Sequence, residues 1–179
     1  MPHFPLFTDL KNQRVLIVGS GHHAMQKARL LEPFGPRLEF LPVLTEADLV
    51  PTPALVILAE GERTEMARLC RARHIPVNSV DDPENCTFYF PSLIRRGDVC
   101  IGISSGGAAP AASAALRRRV EQTLPEDLEG ILPWLGQLTV RLRGAVRDYD
   151  ARAAMLARIC DAAFAANRPL TDEELAEYM

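Results

Sequence analysis

The N-terminal part of the chain changes its hydrophobic period once, and this change predicts a strand followed by a helix. Residues 15–18 form a short apolar run between polar neighbours, which is typical of a strand buried on both faces. Gly19, Ser20 and Gly21 then turn the chain, and from Ala24 onward the apolar residues recur at helical spacing. A buried strand, a glycine turn and an amphipathic helix together are typical of the first half of a dinucleotide-binding unit.

The residues of this turn suit the phosphates of a dinucleotide, and NAD is the cofactor that we expect. Gly19 allows a tight turn, Gly21 lets the backbone approach a pyrophosphate, and the helix that follows attracts phosphates at its N-terminus. The alternative interpretation is an ordinary strand–helix turn in another kind of α/β protein.

Three further strands are predicted at residues 37–41, 55–59 and 75–78, with helical segments near 45–49 and 62–73. In open parallel sheets, ligands bind outside the carboxyl ends of the strands, so the residues that follow these strands should share one edge. Asp81 follows the last of them. The predicted cofactor-binding residues at this edge are Gly19, Ser20, Gly21, His22, His23, Val43, Leu44, Ala59 and Glu60.

The second strand ends without the acidic residue that often holds the ribose of NAD. Its last residues are Leu41, Pro42 and Val43, while Glu39 lies in the middle of the strand. The choice between NAD and NADP is therefore left open by this pattern.

Two more strands are predicted at residues 87–90 and 99–103, joined by a hairpin-like turn at 92–98 that carries Arg95. The loop at 104–110 consists of small residues and opens onto a helix. Such loops present several backbone N–H groups to one point and bind anions. A plain strand-to-helix connection is the alternative, and the loop taken alone slightly favours it.

From Pro110 onward the pattern is helical throughout. The apolar stripes are Ala112, Leu116, Val120 and Leu124, and then Leu128, Ile131, Leu135, Leu138 and Leu142. A third helix is predicted over 149–166, and a fourth begins at Thr171, which has capping-box spacing to Glu174. These stripes exceed what a small sheet can cover, so we expect a subunit interface. The arginines at 117–119 are typical of a solvated face, although a basic wall for a polyanionic substrate is an alternative.

Composition narrows the function classes. Apolar residues make up 47% of the 179 residues and charged residues 24%, which is ordinary for a soluble globular protein. The net charge of −3 gives no reason to expect nucleic acid as a partner, and no apolar run approaches the roughly 20 residues that span a bilayer. The four scattered cysteines and the absence of a signal peptide pattern indicate reduced thiols and a cytoplasmic location.

Several motifs occur along the chain in the order in which one family carries them. They are residues 4–7 (similar to L-P-[IL]-F), 19–31 (G-G-G-x-V-A-x-R-K-A-x-x-L), 78–83 (N-x-V-D-x-P), 88–92 (F-x-x-P-[SA]) and 104–110 (S-(S/T)-G-G-x-S-P). The chain therefore resembles the precorrin-2 dehydrogenase / sirohydrochlorin ferrochelatase family, which includes the N-terminal half of siroheme synthase. The ordered occurrence of all five motifs is much more specific than any one of them.

The resemblance implies an α/β fold with a Rossmann-like parallel sheet domain, a dimerisation region and a small C-terminal helical region. In this chain we expect these at residues 1–110, 111–148 and 149–179. Members of the family work as homodimers and use NAD to oxidise precorrin-2 to sirohydrochlorin. Some also insert ferrous iron to give siroheme. The resemblance implies no resident metal site.

The resemblance also suggests residue roles. The aspartate that matches Asp81 is the family's proposed acid–base residue, and the serine that matches Ser105 lies in its substrate site. The substrate bears eight carboxylates, which suit a loop of amides with a nearby arginine. The predicted substrate-binding residues are Ser104, Ser105, Gly106, Gly107 and Arg95. The alternative for Asp81 is a turn carboxylate that caps its own loop before Pro83.

The chain departs from the family pattern mainly around the nucleotide pocket. Ser20 replaces the middle glycine, His22 and His23 replace acidic or apolar residues, and Glu60 stands where a Thr-Asp pair commonly follows the strand. The segment between the second and third strands is also short. Two alternatives to the dehydrogenase therefore stay open: a tetrapyrrole-binding chelatase that lacks effective dinucleotide binding, and a non-catalytic nucleotide-sensing dimer.

Overall fold

The computed structural model describes residues 3–106 and 109–179. It divides the chain into two compact units, one ending at Phe90 and the other beginning at Pro91. The first unit contains a parallel sheet with flanking helices, and the second contains a β-hairpin and helices. This is the predicted Rossmann-like α/β fold with a helical C-terminal region.

The sheet of the first unit has four strands in the order β2-β1-β3-β4, and all neighbouring strands are parallel. Its strands are β1 (Arg14–Val18), β2 (Arg37–Leu41), β3 (Leu55–Leu58) and β4 (Val77–Ser79). Its helices are α1 (His22–Leu31) and α2 (Arg63–Ala72), with short 3₁₀ turns at Glu32–Phe34, Ala47–Leu49 and Pro83–Asn85. The first three strands and both helices lie within a residue or two of their predicted positions, and β4 begins two residues later than predicted.

The core of this unit consists of two apolar layers, one on each face of the sheet. Alternate residues of β1 point to opposite faces, so Leu16 packs in the layer with Met66 of α2. Ile17 packs in the other layer with Ala24 and Ala28 of α1. The prediction that the first strand is buried on both faces is therefore confirmed.

The hairpin of the second unit corrects one prediction. β5 (Ser92–Arg96) pairs antiparallel with β6 (Val99–Ile103), and Gly97 and Asp98 form the turn. Residues 87–90, which were expected to form a strand, have no strand conformation, because the N–H groups of Thr87 and Phe88 both donate to the Val77 carbonyl and do not form a ladder. The hairpin groups with the helices in the second unit, and the domain bounds expected from the sequence stay a prediction.

Four helices follow the hairpin in the described part of the chain, and they correct the expectation for one apolar stripe. They are α3 (Pro110–Glu121), α4 (Leu128–Ala145), α5 (Tyr149–Ala166) and α6 (Asp172–Ala176). The α4 stripe packs inside the chain, where Ile131 and Leu138 meet Ile159 and Ala163 of α5. It is therefore not available to a partner, whereas Leu116 on α3 is 49% exposed.

The state of the cysteines and the character of the helices complete the description of the fold. None of the four cysteines, which all lie in the described residues, forms a disulfide. Over residues 3–106 and 109–179, no helix combines the length and the apolar character that crossing a membrane requires.

Candidate functional site

The carboxyl edge of the parallel sheet brings together the residues that were predicted to share it. Gly19 follows β1, Glu60 follows β3 and Asp81 follows β4, and β3 lies between β1 and β4. The backbone N–H groups of Ala59 and Glu60 both donate to the Val18 carbonyl, at 3.0 and 3.2 Å. The loops after β1 and β3 are therefore joined directly, and the role of these residues in binding stays a prediction.

The two glycines of the turn serve different purposes. Gly19 has φ +110°, a conformation that side chains other than glycine rarely adopt, so the tight turn requires glycine there. Gly21 is the N-cap of α1 and has φ −77° and ψ −169°, which is ordinary extended backbone. Gly21 is thus needed for the space beside it and not for its conformation.

The N-terminus of α1 receives a carboxylate from another loop. The first turn of α1 contains no acidic residue, and no side chain of its N-cap accepts its N–H groups. Instead, the Gly21 N–H donates to Oε1 of Glu60 at 2.7 Å, and the Ser20 N–H donates to Oε2 at 3.3 Å. The carboxylate therefore satisfies amides that would otherwise attract a phosphate.

The glycine turn and the Glu60 side chain fit closely against each other. A Cβ atom added to Gly19 would lie 2.8–2.9 Å from three carbon atoms of Glu60, and one added to Gly21 would collide with Oε1. The donor amides suit the oxygens of a dinucleotide pyrophosphate. Such a group fits the turn only when the Glu60 side chain moves away.

The remaining predicted cofactor-binding residues differ in accessibility. His22 and His23 are exposed, and their ring centroids lie 5.7 Å apart. Val43 is also exposed, whereas Leu44 is buried in the core and its N–H donates to Met66 Sδ at 3.3 Å. An open surface pocket at the start of α1 is lined by Ser20, Gly21, His22, Met25, Gln26 and Arg29.

Asp81 and Asp82 have clearly different environments. The Asp82 carboxylate accepts hydrogen bonds from Asn85 Nδ2 at 2.8 Å and from Ser79 Oγ at 3.0 Å, and these bonds hold its pKa below the usual value. Asp81 is exposed, and its carboxylate accepts no hydrogen bond from any residue that the structure describes. Asp82, and not Asp81, is therefore the carboxylate that accepts hydrogen bonds within this turn.

The backbone of Asp81 is also unusual. Its φ of +56° lies in the left-handed region, which aspartate and asparagine tolerate better than most residues. Residues held in such conformations concentrate at functional sites.

Lys27 is a candidate that the sequence interpretation missed. Its side chain is half-buried, and its Nζ lies 4.4 Å from the centroid of the Phe90 ring. Burial lowers the pKa of Lys27, while the negative charge of Asp81 opposes this effect. The helical pattern showed only that Lys27 lies away from the apolar face of α1. The lysine of the motif G-G-G-x-V-A-x-R-K-A, which Lys27 matches, was a signal that could have identified it.

In the second unit, the serines of the predicted substrate loop bond to the loop itself. Ser104 Oγ accepts from the Gly106 N–H at 3.1 Å, and Ser105 Oγ accepts from the Ala109 N–H at 3.3 Å. Gly106 has φ +65° and open space around its Cα. Gly107 lies outside the described residues. The loop is therefore shaped by its own hydroxyls.

Arg95 does not join this loop along the hairpin. It lies near the hairpin turn, opposite Cys100, whereas the loop begins at the other end of β6, next to Ser92. Arg95 lies three positions along the strand from Ser92, which is a distance of about 10 Å. The hairpin therefore does not place the two backbones side by side, and the role of Arg95 in binding stays a prediction.

The fold and the edge residues define a Rossmann-like protein with a dinucleotide-binding turn. The family model NAD_binding_7, described as "Putative NAD(P)-binding", matches residues 43–92, which confirms the predicted class of cofactor. The chain is similar to siroheme synthases, as its motifs predicted. It is 34% identical over 173 residues to the siroheme synthase of Tolumonas auensis, and the alignment covers 85% of this chain and 37% of that protein. It is 32% identical over 191 residues to the siroheme synthase of Escherichia coli O157:H7, and this alignment covers 94% of this chain and 41% of that protein.

The chain thus spans about two fifths of the length of these relatives. A solved structure titled "SirC, precorrin-2 dehydrogenase" superimposes on it with a TM-score of 0.69. The alignment covers 98% of this chain and 96% of the other, at 16% identity. At that identity the likeness shows a shared fold.

Proposed function

We propose that the protein oxidises precorrin-2 to sirohydrochlorin with NAD as the hydride acceptor. The observation that carries the proposal is the exposed, unengaged carboxylate of Asp81 at the edge that also holds the glycine turn. The similarity to siroheme synthases and the fold shared with a precorrin-2 dehydrogenase support this choice of reaction.

The proposed roles follow from the chemistry of the step. NAD, when bound, accepts the hydride that leaves one carbon of the macrocycle. The turn from Gly19 to Gly21 and the start of α1 hold its pyrophosphate. Asp81 removes the proton that leaves the neighbouring atom, so that a new double bond forms in the macrocycle.

The carboxylates of the substrate need positive or N–H partners. Lys27 offers a half-buried ammonium group that has no ion-pair partner within 4.0 Å in residues 3–106 and 109–179. The backbone amides of the loop at Ser104 to Gly106, together with Arg95, are further candidates.

The decisive experiment is an assay with purified protein, precorrin-2 and NAD. We expect the absorption of reduced nicotinamide and of sirohydrochlorin to rise together in equal amounts. The Gly21→Val variant, which blocks the space beside the turn, serves as the control for cofactor binding. Absence of both signals, with an active reference dehydrogenase in the same substrate preparation, would contradict the proposal.

A second candidate function is supported by the position of Glu60. Because its carboxylate occupies the glycine turn, a protein that binds the tetrapyrrole and inserts ferrous iron without using NAD is also consistent with this site. Asp81 would then accept the protons of the pyrrole nitrogens, and iron would be a substrate. Adding sirohydrochlorin and ferrous iron without NAD tests this candidate, because siroheme has its own spectrum.

We also propose that the protein works as a homodimer that uses α3. The apolar stripe of α3 stays partly open within the chain, since Leu116 is 49% exposed and Val120 is half-buried. An exposed apolar helix stripe favours a subunit contact. The cytoplasmic location expected from the sequence stays a prediction.

A further inference from the structure

The contact between Glu60 and the glycine turn resembles the binding of an anion. Two oxygens of one carboxylate accept two successive backbone N–H groups, from Ser20 and Gly21, at the N-terminus of a ten-residue helix. A phosphate group of a dinucleotide uses the same donors in the same kind of turn.

The carboxylate and a pyrophosphate cannot occupy this position together. The Glu60 side chain already fills the space beside Gly19 and Gly21, at distances that would not admit even one added carbon atom. An ionised carboxylate at this point would also repel the negative charges of the pyrophosphate.

Glu60 is able to leave the turn. Its side chain is exposed, and among the described residues its carboxylate has no hydrogen-bond donor other than these two amides. The loop backbone stays fixed meanwhile, because the Glu60 N–H donates to Val18 of β1.

We propose that Glu60 is an internal competitor of the dinucleotide and sets how tightly the cofactor binds. This inference rests on the proposed use of NAD. The side chain holds the turn in an anion-binding conformation when the cofactor is absent, and NAD binds only by displacing it. The affinity for NAD is therefore lower than the turn by itself would give.

The test compares Glu60→Gln with the parent protein by isothermal titration calorimetry with NAD. Gln keeps the size of the side chain but removes its charge, so it accepts the two amides less strongly. We expect NAD to bind about tenfold more tightly, which is the scale of one charge-assisted hydrogen bond. Glu62→Gln makes the same charge change two residues away at an exposed position, and we expect it to leave the affinity unchanged.

A second measurement needs no cofactor. The amide proton of Gly21, observed by NMR, should move upfield in Glu60→Gln and stay in place in Glu62→Gln, because only the first variant weakens its bond to a carboxylate. An unchanged Gly21 signal in Glu60→Gln would overturn the contact on which the inference depends.

The outcomes distinguish the inference from the proposed function. Measurable NAD binding by the parent that is equal or weaker in Glu60→Gln overturns the inference and leaves the proposed function standing. No NAD binding by either protein overturns the proposed use of NAD, and the inference with it.

Discussion

Replacing Asp81 is the substitution that best distinguishes the role of this carboxylate from the role of its neighbour Asp82. Asp81 is exposed and unengaged, whereas Asp82 is bonded to Ser79 and Asn85 within its own turn. Asn at position 81 is nearly the same size as Asp, but it cannot take a proton. We therefore expect Asp81→Asn to lower dehydrogenase turnover by about two orders of magnitude or more, the usual scale for removing a general base.

The backbone conformation of Asp81 also predicts how each substitution changes the free energy of unfolding. At φ +56°, Asn is tolerated nearly as well as Asp, so Asp81→Asn should leave the free energy of unfolding almost unchanged. Alanine has no such tolerance, and we expect Asp81→Ala to lower the free energy of unfolding by about 1 kcal/mol through backbone strain. Both variants should lose turnover equally, because both remove the carboxylate.

The assay follows sirohydrochlorin formation and urea denaturation in the same preparations. Asp82→Asn is the matched control, since it removes one charge from the adjacent residue and weakens the turn. We expect this control to lose stability while it keeps most of its turnover. Parent-like activity of Asp81→Asn would remove Asp81 from the mechanism, and a larger loss in Asp82→Asn would show that the turn itself is what matters.

Three further predictions concern the turn, the interface and the C-terminal helix. Gly21→Val should abolish NAD binding in a calorimetric titration while the protein stays folded, because the backbone at Gly21 is ordinary and only the space beside it is lost. Light scattering should give a mass near twice 19.8 kDa, and Leu116→Asp should give the monomer; a parent monomer would contradict the proposed interface. The Arg168 guanidinium and the Thr171 amide hold the pKa of Glu174 at about 2, below its usual 4.5. This lowered pKa stabilises the fold above about pH 4.5, and the stabilisation is lost as the pH falls toward 2, so the stability advantage of the parent over Glu174→Gln in urea denaturation should shrink across that range; a constant difference would contradict the pairing.

Where local signals were strong, the fold could be predicted from the sequence. The helix α5 has its predicted bounds because Asp148 caps its start, where its side chain accepts the Ala151 N–H, and Asn167 ends it in the left-handed conformation. The capping box of Thr171 and Glu174 likewise forms as predicted. These signals act within a few residues, so the sequence alone contains them.

Elements that depend on a distant partner could not be predicted. Residues 87–90 have the aromatic and β-branched composition of a strand, but no neighbouring strand pairs with them. Residues 92–96 end in two arginines and look like a turn, yet they form a full ladder with β6. The α4 stripe showed that one face of the helix is buried, but not that α5 covers it.

The candidate site also contains a contact between distant positions, and both of these positions depart from the family pattern. Ser20 and Glu60 lie forty positions apart in the sequence, where they were two unrelated substitutions. In the structure they meet, because the Ser20 N–H donates to the Glu60 carboxylate beside Gly21. We therefore expect this contact to weaken the affinity for the dinucleotide. It follows that removing the charge of Glu60 should strengthen NAD binding, whereas replacing Ser20 by glycine should not, because the backbone amide is present in either case.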